Sequence, residues 1–161
     1  MKITLKNIKI IQSIECDLCF TARIYVDGKL AGSAENMGHG GPTDYYFSNP
    51  KIREAVETYV DSLPLEKWEF NGQEVSRKLG VDDIIDKLVN DHYNEKEEKK
   101  IIKLAEKNKK IFSERGYPFT LEIRLPHQVS WTAVKTEEMV EPARKSLAEK
   151  HKVSVDSIKL I

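Results

Sequence analysis

Apolar and polar residues alternate through the first third of the chain, the period of a half-buried strand. Ile3, Leu5, Ile8 and Ile10 mark a first strand, with a slip in the alternation at Asn7. Phe20, Ala22, Ile24 and Val26 alternate with Thr21, Arg23 and Tyr25 in a second. Asp27-Gly28 follows at once, the dipeptide of a two-residue hairpin whose loop residues take φ > 0. In the third strand the small residues Ala31, Gly32, Ser33 and Ala34 predict that another segment packs closely over it. A glycine-rich loop comes next, and Asp44-Tyr45-Tyr46-Phe47 is predicted as a short fourth strand.

The period then becomes helical. Ser48 or Asn49 serves as cap, with Pro50 in the first turn. Ile52, Ala55, Val56, Tyr59, Val60 and Leu63 form an apolar stripe, and Pro64 closes the helix. Residues 65–80 fit two readings, a hairpin turning at Asn71-Gly72 or a helical turn ending at Gly80. From Val81 to Arg115 there is no glycine or proline. Val81, Ile84, Ile85, Leu88 and Val89 repeat at helical spacing, as do Ile101, Leu104, Ala105 and Phe112, with the polar run NEKEEKK between them. One long exposed helix is the more economical reading, since no breaker is present. The alternative is two helices meeting near Asn94. Gly116-Tyr117-Pro118 ends the run, and Phe119, Leu121, Ile123 and Leu125 mark a strand. PHQVSW reads as loop, residues 136–151 as a last helix with Thr136 as cap and Pro142 marking a second start, and Ile158–Ile161 as an edge strand.

These elements predict an α+β fold. An N-terminal antiparallel meander of three to four strands and one further central strand are packed by three or more helices, one of them long and charged. The expected organisation is a single domain, 1–161: a β meander over 1–48, a helical region over 50–115 and a β-α-β part over 116–161.

Length and charge narrow the function. A chain of 161 residues buries roughly 70% of the surface its unfolded form exposes, so it folds without disulfides or metals. Twenty-six basic and twenty-six acidic residues cancel. Nucleic-acid binders carry a basic excess, because phosphate contacts supply most of their affinity. Direct nucleic-acid binding is therefore not expected. Residues 51–93 hold ten acids against six bases, and residues 94–115 hold eight bases against five acids. That pattern reads as a solvated helix laced with i,i+4 pairs. The N-terminus lacks the apolar run of a signal peptide, and no window approaches a membrane span, so a cytoplasmic location without membrane association is expected.

Cys16-Asp17-Leu18-Cys19 has the spacing of half a zinc site or of a redox pair. No second CxxC exists, and His39, His92, His127 and His151 are scattered. A redox pair normally caps a helix, where the thiol pKa falls, and here a strand follows. The expected roles are Cys19 as a small core residue beside Phe20 and Cys16 as a loop residue, with no metal and no cofactor.

The stretch NMGHGGPTDYY, residues 36–46, holds the most chemistry. It has neither the Lys-Ser/Thr of a phosphate loop nor the strand-to-helix setting of a dinucleotide fingerprint. Two readings stand. Gly38, Gly40 and Gly41 permit close backbone approach, while His39, Thr43, Asp44, Tyr45 and Tyr46 supply donors, acceptors and stacking faces for a ligand or a partner peptide. Alternatively, the glycines only relieve φ > 0 strain in a tight crossing between strands. His39 and Asp44 form a conceivable acid–base pair, but nothing fills the remaining roles of an active site. No catalytic residue is assigned. Trp68 and Trp131 lie in or near loops, where tryptophan serves as core plug or as interface anchor.

The first fifty residues, from MKITLKNIKI through CFTARIYVDGKLAGSAENMGHGGPTDYY, resemble a family of small uncharacterised bacterial and phage proteins. Its pattern joins an LKN-K strand, a D-G-K hairpin, an N-x-G-x-G-G-x-T-D-Y loop and a charged central helix. The resemblance places Asn36, Gly38, Gly40, Gly41, Thr43, Asp44 and Tyr45 at motif positions and implies a phage or mobile-element setting, hence the host cytoplasm. The cysteine pair is outside the pattern, and no catalytic residue or cofactor comes with it. The expected function is a non-enzymatic binding protein, for example a counter-defence inhibitor that occupies a host protein or sequesters a small molecule. The alternatives are a nucleotide-like small-molecule enzyme or sensor using the glycine-rich loop, and a structural or regulatory phage accessory protein.

Overall fold

A computed structural model describes residues 1–11, 19–126 and 128–161. The chain divides into two compact units, Met1–Asn94 and Glu95–Ile161. The α+β expectation holds in both.

The first unit is built on an antiparallel meander, β1 (Ile3–Ile11), β2 (Cys19–Val26), β3 (Lys29–Asn36) and β4 (Asp44–Phe47), in the order β1-β2-β3-β4. The slip foreseen at Asn7 is a bulge: the residue has φ 55° and the register with β2 shifts between Lys6 and Lys9. Asp27 and Gly28 both take positive φ, as their hairpin requires. One face of the sheet carries Phe20, Ala22, Ile24, Ala34 and Phe47 into a core. Helix α1 (Pro50–Asp61) contributes Val56 and Val60 to that core, and the start of α2 (Val81–Glu114) contributes Val81, Ile85 and Val89. Asn49 caps α1, its side chain accepting from the Lys51 N–H at 2.9 Å.

The close approach over the third strand is real. A Cβ on Gly32 would lie 1.9 Å from the Tyr46 carbonyl oxygen of β4. Just before it, Ala31 accepts from both the backbone N–H and the hydroxyl of Ser48, at 2.9 and 3.0 Å. Of the two readings for 65–80, the structure takes the hairpin: β5 (Glu66–Phe70) pairs with β6 (Gln73–Arg77), and Asn71 and Gly72 sit at φ 52° and 76°.

α2 is a single unbroken helix of 34 residues. Its start is capped by the Asp83 carboxylate, which accepts from the Gly80 N–H at 2.8 Å. Its end closes on Gly116 at φ 83°, with the Tyr117 N–H returning to the Phe112 carbonyl at 2.9 Å, a Schellman turn.

In the second unit β7 (Phe119–Leu125) is the middle of a three-stranded sheet, between β8 (Gln128–Val134) and β9 (Ile158–Leu160). β8 corrects the reading of PHQVSW as loop from Gln128 onward, while His127 lies outside the described residues. Val129–Ala133 are half-buried on both faces, so no clean alternation betrays the strand. A 3-10 turn (Glu137–Met139) leads into α3 (Val140–His151), which packs Val140 and Ala148 on Leu121, Ile123 and Ile158. On the opposite face of β7, buried Glu122 accepts from Arg124 Nε at 2.7 Å and from the Trp131 indole at 3.1 Å. Arg124 also holds Glu98 at 2.7 Å. The Glu98 carboxyl is thereby held below its usual range, chiefly by the hydrogen bond from Arg124.

Candidate functional site

The glycine-rich stretch is the β3–β4 connection of the first unit. The strands that flank it pair antiparallel, Glu35 opposite Asp44, so residues 36–43 must reverse the chain. Asn36 starts the reversal. Its side-chain oxygen accepts from the Gly38 N–H at 2.8 Å, an Asx turn. Its amide donates across the loop to the Thr43 hydroxyl at 3.1 Å. Gly38 and Gly40 then take φ of 74° and 78°, which only glycine adopts without strain.

Thr43 closes the reversal from inside. It is 3% exposed, and its hydroxyl donates to the Asp86 carboxylate at 2.5 Å. A buried hydroxyl needs such a partner. Asp86 comes from α2, one residue beyond the core residue Ile85. Burial raises the Asp86 carboxyl above its ordinary value. The Thr43 hydrogen bond opposes the rise, and Asp82 and Asp83 add to it. Asn36–Thr43–Asp86 is thus a polar clasp from loop to helix. Asp86 is absent from the residues singled out by sequence. Its signal there is an acid bordering the apolar stripe of α2.

The remaining predicted residues divide by strand parity. Tyr45 and Phe47 turn toward the core side, rings 5.9 Å apart and edge to face. Burial is the main cause that raises the Tyr45 hydroxyl, with Glu57 next. Asp44 and Tyr46 turn to the other face and are exposed, Tyr46 at 67%. His39, Gly40 and Gly41 sit exposed at the loop tip. Neither Gly40 nor Gly41 has an atom within 4 Å of where a Cβ would stand. Among the described residues, no hydrogen bond or ion pair joins His39 to Asp44. The loop therefore does not gather its nine candidate residues around one point. An open depression of about 240 Å³ beside it is lined by Thr21, Ser33, Glu35, Asp44, Tyr45 and Tyr46 among others. It is smaller than the roughly 300 Å³ where small-molecule sites begin, and its carboxylates oppose a phosphate.

A second surface draws the eye more strongly. β5 and β6 are exposed along their whole length except half-buried Val75. Trp68 pairs with Val75 and Phe70 with Gln73, which places the three apolar residues on one face of the hairpin. Trp68 is 40% exposed and Phe70 62%. Leu65, just before the hairpin, is exposed as well. Two ion pairs also bridge the strands, Lys67–Glu74 at 2.8 Å and Arg77–Glu66 at 2.9 Å. Arg77 also reaches Asp83, and Lys78 reaches Asp61, each at 2.9 Å, fixing the base of the hairpin to the rest of the unit.

Cys19 is buried at the start of β2, and Cys16 lies outside the described residues. Among the described residues no cluster of three or more His, Cys, Asp and Glu side chains is placed to hold a metal ion, and no helix is long and apolar enough to cross a membrane. No family model, curated protein or solved structure matches the chain.

Proposed function

We propose that the protein is a non-enzymatic binding protein that engages a partner protein through the apolar face of the β5–β6 hairpin. The observation that carries this reading is the pair Trp68 and Phe70, two large rings left exposed on a ribbon whose strands ion pairs also bridge. Isolated two-stranded ribbons are marginal in water, so a ribbon that displays aromatics gains from being covered. Tryptophan is also the commonest anchor of protein interfaces. Glu66 and Arg77, which share the face of Trp68 and Phe70 by register, supply the polar rim such a contact uses. The resemblance of the first fifty residues supports a phage or mobile-element setting. In that setting the partner is a host protein, and a counter-defence inhibitor is the concrete form.

The test is capture by tagged chain from host extract, with two variants run beside the wild type. A protein retained by wild type and by His39→Ala but lost from the double variant Trp68→Ala/Phe70→Ser supports the reading. Equal retention by the hairpin variant overturns it. A panel of nucleotides in a thermal-shift assay addresses the sensor alternative, since a ligand raises the melting temperature by mass action. A shift that His39→Ala abolishes would favour the loop over the hairpin.

A further inference from the structure

One face of the β1–β4 sheet is covered by the core helices, and the other is exposed and divided by charge. Cross-strand register places two rows on it. Lys9, Thr21, Glu35 and Asp44 form one, and Lys6, Arg23, Ser33 and Tyr46 form the other. All eight are exposed. The cations thus lie on β1 and β2, and the carboxylates on β3 and β4. The net charge of the chain is zero, so this separation is a property of the face.

A surface whose halves carry opposite charge complements a reversed copy of itself. We infer that this face pairs with the same face of a second copy of the chain, about a two-fold axis that lies in the interface and runs parallel to the strands. That axis sends β1 over the β4 of the second copy and β2 over its β3, while position along the strands is kept. Lys9 then meets Asp44 of the second copy, and the reciprocal contact forms by symmetry. Lys6 meets the exposed Tyr46 ring, a cation–π geometry. Lys6 already makes that kind of contact within one copy, 4.5 Å above the Tyr25 ring. An in-plane axis perpendicular to the strands would instead stack β1 on β1 and set lysine against lysine. Charge therefore selects between the two face-to-face dimers.

The size of the face bounds the affinity. Three strands of eight or nine residues and one of four, about 4.8 Å apart, give roughly 450 Å² per copy, or about 900 Å² in all. That lies below the roughly 1,200 Å² of standard interfaces, in the range of weak transient contacts, and it is polar, so a weak, salt-sensitive dimer with a dissociation constant on the order of 100 μM is expected.

Sedimentation equilibrium from about 10 μM to 1 mM tests this. Wild type should associate to dimers, and Lys9→Asp and Asp44→Lys should each weaken association at least about tenfold. The decisive arm is an equimolar mixture of the two variants. Only there does the aspartate placed at position 9 of one chain face the lysine placed at position 44 of the other. The native Lys9 of the second chain then faces the native Asp44 of the first, so the mixture should dimerise as wild type does. The mixture also controls for folding, because chains that fail to fold cannot restore the complex. A wild type that stays monomeric throughout, variants that associate unchanged, or a mixture that stays monomeric overturns the inference.

Discussion

The Asn36–Thr43 loop and the β5–β6 hairpin are both chain reversals in the first unit, and they spend their residues in opposite ways. The loop is rich in glycine and polar groups. Yet Asn36 and Thr43 are bonded to each other and, through Asp86, to α2, while Gly38 and Gly40 take backbone angles that other residues resist. The hairpin is reversed by Asn71-Gly72 and bridged by ion pairs, and its aromatics stay largely exposed, Trp68 beside Val75 and Phe70 opposite polar Gln73. Polar, glycine-rich sequence is thus what a tight reversal needs for its own sake. An apolar side chain the fold does not use is the better sign of a contact surface.

The largest expected effect tests the structural half of that contrast. Gly32→Ala puts a methyl group against the Tyr46 carbonyl, and a backbone neighbour cannot rotate away. A loss of about 3 kcal/mol is expected, the upper end for overpacking, read as a shift in the urea midpoint. Hydrogen exchange should show β4 opening first. If exchange in β4 is unchanged, the loop is not held by its strand pairing.

Next is the clasp. Thr43→Val keeps the shape and removes the hydroxyl, leaving the Asp86 carboxylate and the Asn36 amide without it. A loss of about 2 kcal/mol is expected. Asp86→Asn separates the bond from the charge, because the amide oxygen still accepts from Thr43. The Asp86 carboxyl is raised on folding, mainly by burial. Its contribution to stability is therefore fully present below the unfolded carboxylate value and is lost as pH rises through the folded one. Asp86→Asn should match or exceed wild type in melting temperature at neutral pH, and the difference should close as the solution is acidified through the carboxylate range. A variant as damaged as Thr43→Val at neutral pH would mean that the charge itself is needed.

How much of this contrast the sequence showed depends on range. The Asp27-Gly28 hairpin, the slip at Asn7 and the unbroken α2 are set by neighbours in the chain, and periodicity or turn chemistry displays each; the crowding at Gly32 comes from β4 and shows in sequence only as a run of small residues. The Thr43–Asp86 bond joins residues 43 positions apart, and no local pattern records such a pair. The loop's candidates were legible as chemistry, but parity along β4 turns Tyr45 inward and Tyr46 outward. Only the register with β3 reveals that. Trp68 was visible as a tryptophan near a loop, and Phe70 was not singled out. Their exposure follows from the choice of hairpin over helical turn, which residues 65–80 alone leave open.

The hairpin arm of the comparison predicts a small change in stability. Trp68→Ala removes its cross-strand contact with Val75, and such pairs contribute roughly 0.2–1 kcal/mol. Phe70→Ser, opposite polar Gln73, should cost less still. The double variant should therefore melt within a few degrees of wild type while losing the partner. A cooperative collapse of the unit would instead make the rings part of the fold.

The smallest expected effect is the sharpest test of the loop. Gly38 and Gly40 are explained by their positive φ, and Gly32 by the backbone above it. Gly41 is explained by neither, since it is absent from the positive-φ glycines and has open space where a Cβ would stand. Gly41→Ala should therefore change stability by less than about 0.5 kcal/mol, as for an ordinary surface substitution. The same methyl group would block anything that approaches this backbone closely. A variant that melts as wild type and still captures the partner leaves the loop as a reversal and the hairpin as the contact. If instead it melts as wild type and loses the partner, the contrast between the two reversals inverts, because a structurally idle glycine would then be where the partner touches.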